Sequence, residues 1–208
     1  MTPFTVLEGV AAPLPLPNVD TDLIIRIERL SQLPRAELGP WAFEPLRYLE
    51  SGTENADFVY NRAPWRGAPI LVADVNFGCG SSREHAVWAL QGLGVRCVVA
   101  PSFGDIFRDN CVQNGVLPIQ LPPERAQALL GALTREFERG VAVSLRIDLG
   151  ARTLVWPERF DWHFELDERR RNALLEGLDE VGLTVKMRPR ILAWQESDRV
   201  RRPWVWRV

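Results

Sequence analysis

Two serines, an arginine, a glutamate and a histidine follow one another at Ser81-Ser82-Arg83-Glu84-His85, just beyond Gly78 and Gly80. Glycines there can take positive φ and let main-chain N–H groups converge on one point. A helix beginning beyond them aims its unpaired N–H groups and positive dipole end at the same place. Such a point attracts an anion, and two hydroxyls, a guanidinium and an imidazole accompany it. A second reading uses the same residues. Ser81-x-x-Glu84 matches a capping box, in which the serine oxygen accepts from a helical N–H and the glutamate reaches back to the cap. The two coexist if Ser82 or Glu84 closes the helix and Ser81 faces a ligand. A phosphate loop and a hydrolase elbow fit less well, because no Gly-Lys-Ser/Thr follows the glycines and no Gly-x-Ser-x-Gly frames a serine.

The elements that position this cluster are legible on both sides of it. The apolar run Ala68 to Ala73 reads as a buried strand, and the alanine- and leucine-bearing segment after Arg83 has helical spacing. Val95 to Pro101 gives a second strand. Ser102 to Gly115 reads as a helix with Ser102 as N-cap, Asp105 as its capping-box partner and Gly115 as the stop. Val116 to Leu121 is a third strand. This alternation predicts an α/β fold with a largely parallel central sheet and right-handed crossovers, whose ligands meet the carboxyl ends of the strands. The Ser81 turn lies at one such end.

Elsewhere, residues 4 to 12 read as an opening strand, followed by a proline-rich turn and Asn18-Val-Asp-Thr-Asp22, whose polar residues either cap a turn or orient a ligand. Residues 26 to 67 show little periodicity and many aromatics, the pattern of a functional lid, an interface, or a loop stapled down by those aromatics. Pro122 to Phe137 predicts an amphipathic helix, Val141 to Trp156 a hairpin turning near Gly150, and Arg159 to Leu166 a further strand. A capped helix starts at Asp167, with Arg169 to Arg171 as its solvated face. Gly182 to Val185 reads as a last strand, residues 189 to 199 as a terminal helix, and the tail to Val208 presents tryptophans to a partner or to its own domain. Residues 1 to 208 are read as a single domain, with 187 to 208 as its C-terminal helix and tail.

Composition narrows the function. A net charge of −2 leaves no basic excess for a nucleic-acid partner. No apolar run reaches the roughly 18 residues of a membrane span, so a cytoplasmic location is the expectation. Cys79, Cys97 and Cys111 lack a Cys-x-x-Cys, and His85 and His163 are the only histidines, so this chain is not expected to bind a metal by itself.

Three segments taken together resemble the small subunit of isopropylmalate isomerase (3-isopropylmalate dehydratase), in the aconitase superfamily: Asn18 to Ile25, Asn76 to Leu90 and Ala100 to Cys111. The likeness runs from about residue 4 to 195. It implies a swivelling β/β/α domain, like the aconitase C-terminal domain. That domain would dock on a large subunit carrying a [4Fe-4S] cluster, as a heterodimer or larger assembly, and interconvert 2- and 3-isopropylmalate in leucine biosynthesis. Carried onto matching positions, Ser81 is the catalytic base, Ser82 and Arg83 hold a substrate carboxylate, and Thr21 and Asp22 approach from the other loop. The chain departs from the family at Arg26-Ile-Glu-Arg-Leu30, where a proline and often Ala-Arg-Phe-Leu are usual. That departure keeps open a related hydroxy diacid of homoaconitate or methylmalate type. A non-catalytic anion-binding module is the more distant alternative.

Overall fold

The computed structural model describes residues 1 to 206; Arg207 and Val208, the end of the expected tail, lie outside the described residues. Seven strands form one sheet: β1 (Val6–Leu14), β2 (Ile70–Ala73), β3 (Cys97–Ala100), β4 (Leu117–Gln120), β5 (Ser144–Asp148), β6 (Thr153–Trp156) and β7 (Phe160–His163), in the order β4-β3-β2-β1-β5-β6-β7. The β4-β3-β2-β1 half is parallel, and the predicted hairpin extends the same sheet antiparallel from β1.

Alternation along the parallel strands builds two cores. Leu71 and Ala73 of β2, with Val98 and Ala100 of β3, face the layer containing α4 (Glu84–Leu93) and α5 (Asp105–Gln113). Ile70, Val72, Cys97 and Val99 face the opposite way, onto α6 (Pro123–Glu138) and α7 (Glu168–Glu176). Strands buried on both faces read as unbroken apolar runs, which is why these were plain in the sequence.

After α1 (Thr21–Ile24), the 26–67 region holds two short α-helices, α2 (Ile27–Gln32) and α3 (Glu44–Arg47), joined by single 3-10 turns and loops. From Leu38 onward it belongs to the core rather than forming a free lid: Leu38, Phe43, Tyr60 and Trp65 are buried, and Trp65 packs edge-on to Phe137 with ring centroids 4.8 Å apart. Burying side chains of this size contributes about 1.5–3 kcal/mol each. Arg26 to Glu37 and Tyr48 to Asp57 hold no buried residue, although Leu30 and Leu33 pack against the edge of the core. The segment is seated on α4 by backbone contact, since a Cβ on Gly39 would lie 2.3 Å from the Gly92 carbonyl carbon.

Two local expectations are corrected, and a third is extended. Gly182 to Val185 is not a strand but part of α8 (Glu180–Lys186), because Asp179 caps it, its side chain accepting from Gly182 N–H at 2.7 Å. Ser102 does not cap α5: the helix starts after Gly104, and the Ser102 hydroxyl accepts from Asn76 N–H at 2.8 Å. The arginine run on α7 is solvated at Arg169 but also makes a set of ties. Arg169 reaches Glu180, Arg170 reaches Asp109, and Arg171 donates to the Leu149 and Gly150 carbonyls. The terminal helix α9 (Arg188–Arg201) ends in a clasp, where Asp198 accepts from Arg202 and from Trp206.

Candidate active site

The turn after β2 is shaped by what packs beneath it. Gly78 has φ 73°, and a Cβ there would lie 2.2 Å from the Phe107 ring, so only glycine fits. Phe77 and Phe107 meet edge to face with centroids 5.4 Å apart, which anchors the turn to α5. A second loop crosses it. Asp20 pairs with Cys79 in a parallel bridge, Gly78 N–H donates to the Val19 carbonyl at 2.7 Å, and Thr21 N–H donates to the Cys79 carbonyl at 2.9 Å. Asn18 and Asn76, both at positive φ, join their side-chain amides at 2.9 Å. Asparagine tolerates that conformation better than most residues, a signal that was available in the sequence but not used.

This crossing brings all five predicted site residues together. Ser81 and Ser82 are exposed at the tip of the turn. Thr21 is 1% exposed, and its hydroxyl donates to the Ser81 carbonyl at 2.9 Å. Expected beside a ligand, Thr21 instead reaches the site through the backbone of Ser81. Arg83, whose side chain is 14% exposed, donates to the Asp22 carboxylate, which is 54% exposed. A pair this open to water is worth about 0–1 kcal/mol, so a better-placed carboxylate can displace Asp22 from the guanidinium. The capping reading of the Asn18 to Asp22 loop holds at Asp20. Its carboxylate accepts from Leu23 N–H at 2.7 Å and caps α1, the helix that carries Asp22.

The capping box is absent. Arg83 is the N-cap of α4 and no side chain caps its N–H groups; Glu84 turns instead to Asn114, 2.7 Å away. The start of α4 is therefore open, flanked by Arg83 and the exposed Ser81 and Ser82, an arrangement able to accept an anion. His85 lies along the helix against Trp88, ring centroids 4.5 Å apart. Beside the site is an open hollow of about 490 Å³, lined in part by Asp20, Asp22, Leu23, Arg26 and Ile27.

The residues do not fit an iron–sulfur cluster held by this chain. Cys97 and Cys111 are completely buried, and burial pushes both thiols well above the ordinary range, away from the thiolate a metal needs. Among the described residues no group of three or more His, Cys, Asp or Glu side chains is placed to hold a metal ion. No helix among them is long and apolar enough to cross a membrane.

A mixed sheet whose parallel half presents a glycine turn and an uncapped helix start defines a class, and the profile of the aconitase C-terminal domain matches residues 1–124. The chain is 47% identical over 205 residues to the 3-isopropylmalate dehydratase small subunit of Paramagnetospirillum magneticum, covering 99% of this chain and 100% of the relative. It is 48% identical over 204 residues to the protein of that name from Rhodopseudomonas palustris, covering 98% of this chain and 100% of that one. A crystal structure of 3-isopropylmalate dehydratase from Methanocaldococcus jannaschii superposes with a TM-score of 0.64 at 25% identity, over 91% of this chain and 99% of the other. The chain thus belongs to the family of 3-isopropylmalate dehydratase small subunits.

Proposed function

We propose that this chain supplies the proton-handling half of a cytoplasmic 3-isopropylmalate dehydratase, which a large subunit completes by roofing over the exposed Ser81 turn. The observation that carries the reading is the uncapped start of α4, with Ser81 and Ser82 exposed and Arg83 held beside them by Asp22. A substrate carboxylate displaces Asp22 and takes the planar fork of Arg83, with Ser82 and the N–H groups of the turn completing its shell. Thr21 fixes the Ser81 carbonyl and so aims the Ser81 side chain. Ser81 Oγ, as the alkoxide, accepts the carbon-bound proton; the electron pair left behind forms the double bond as hydroxide departs from the neighbouring carbon. Hydroxide then adds to the carbon that lost the proton, and Ser81 returns its proton to the carbon that lost the hydroxyl, which regenerates the alkoxide. We assign the [4Fe-4S] cluster to the large subunit, where it would supply Lewis acidity toward the departing hydroxyl.

A serine hydroxyl is far from basic at neutral pH. A helix dipole contributes about 0.3–1 kcal/mol, ~2 at best, little more than one pKa unit. Most of the activation has to come from Arg83, the converging N–H groups and the exclusion of water when the partner covers the turn. Turnover therefore depends on assembly. Co-expression with the large subunit and assay on 3-isopropylmalate is the test. The pair is expected to be active and this chain alone inert; turnover by the chain alone refutes the reading. Arg26 beside the hollow is where a preference for a neighbouring hydroxy diacid would arise, and profiling the assembled pair on such diacids measures it.

A further inference from the structure

We propose that Asn114 is a positioning residue for the anion site: it holds the Glu84 carboxylate away from the start of α4, so that the N–H groups there stay free for the substrate. The inference rests on the reading of Ser81 to Arg83 given above.

Asn114 follows α5 and is 8% exposed. Its Oδ1 accepts from Trp88 Nε1 at 2.9 Å and from Arg35 Nη2 at 3.0 Å, and its Nδ2 donates to Glu84 Oε1 at 2.7 Å and to the Asn110 carbonyl at 3.0 Å. Both acceptor sites and both donors of the amide are in use. The orientation is dictated, because Trp88 and Arg35 can only donate: the oxygen must face them, and the NH2 group is thereby turned on Glu84. The Asn114 carbonyl also accepts from Gln91 Nε2 at 2.5 Å. Glu84, Trp88 and Gln91 lie along one face of α4, so a single residue grips that helix from its first turn to its last.

Glu84 matters because of where it stands. It is the acidic residue in the first turn of α4, immediately after an N-cap that supplies no side-chain acceptor. A carboxylate in that position is ordinarily drawn to the helix N–H groups and partial positive charge. Turned that way, it would occupy the spot assigned to the substrate carboxylate and repel it. The structure places it instead against an amide that is locked from behind by a tryptophan and an arginine.

Asn114→Asp keeps the acceptors for Trp88 and Arg35 but confronts Glu84 with a second carboxylate. In the assembled pair, assayed on 3-isopropylmalate, this variant should raise KM about fivefold, the upper end of the ordinary effect of a first-turn charge at a helix end, with kcat within about twofold. Adding Glu84→Ala removes the competitor and should return KM to within about twofold of the parent, although the lost tie to α4 is not restored. If Asn114 merely braced α4, the double variant would be no better than the single one. Should Asn114→Asp fail to assemble, Asn114→Ser is run through the same comparison. A KM still raised in the double variant, or a loss confined to kcat, overturns the inference while the site reading stands. An inert parent pair overturns the site reading and this inference with it.

Discussion

At the start of α7 the Asp167 carboxylate accepts from the Arg169 and Arg170 N–H groups at 3.0 and 3.1 Å, whereas at the start of α4 no side chain does so, and hydroxyls and a guanidinium stand around the gap. The two helices are of similar length and each begins with a glutamate. What differs is whether the chain completes the helix itself. A side-chain cap contributes about 0.5–2 kcal/mol, so α4 forgoes stability that α7 takes. The same groups that stabilise a helix when capped bind an anion when left open, and only one of these ends lies at the carboxyl edge of the parallel strands.

The contrast can be tested from both sides. The largest effect is expected from Ser81→Ala in the assembled pair. Because Ser81 is exposed, folding and assembly should be retained while turnover falls by about a thousandfold or more. Near-normal rates would remove Ser81 from the chemistry. Arg83→Lys keeps the charge and loses the fork; KM is expected to rise about tenfold with a smaller change in kcat, and unchanged steady-state kinetics would count against carboxylate binding. Asp167→Ala opens the closed helix. It should lower stability by about 1 kcal/mol in a urea titration and leave turnover alone. Arg83→Asn is the converse, placing a good capping residue at the open end. The gain of a cap, about 1 kcal/mol, less the exposed pair with Asp22, should leave the protein as stable as its parent or slightly more so while activity is lost. A clear loss of stability in that variant would mean that α4 is not held open in the way described.

The glycine turn and its polar cluster were legible because their ingredients are local: glycines, a serine pair and an arginine between a strand and a helix. Whether Ser81-x-x-Glu84 was a cap or a binding site was not. Glu84 meets Asn114, thirty residues further on, instead of the cap, and no periodicity links the two. The parallel strands were plain because both faces are buried. Gly182 to Val185 was misread because its β-branched residues favour a strand, while the cap from Asp179 and the following turn favour a helix. The 26–67 region gave no period because its helices are one or two turns long and its aromatics serve as anchors to the core at irregular intervals. Thr21 was found as a member of the cluster, but its hydroxyl proved to act on the Ser81 backbone, a distinction that residue type alone does not carry.

Gly39 and Gly92 touch backbone to backbone, with no room for even a methyl group between them. Gly92 lies near the end of α4, on the order of 12 Å along the axis from Glu84. A side chain at either glycine would wedge the 26–67 segment from α4, whose other end adjoins the turn that carries the proposed base Ser81. On the proposed reading, added volume at this distant contact is expected to lower turnover with every polar group of the cluster intact.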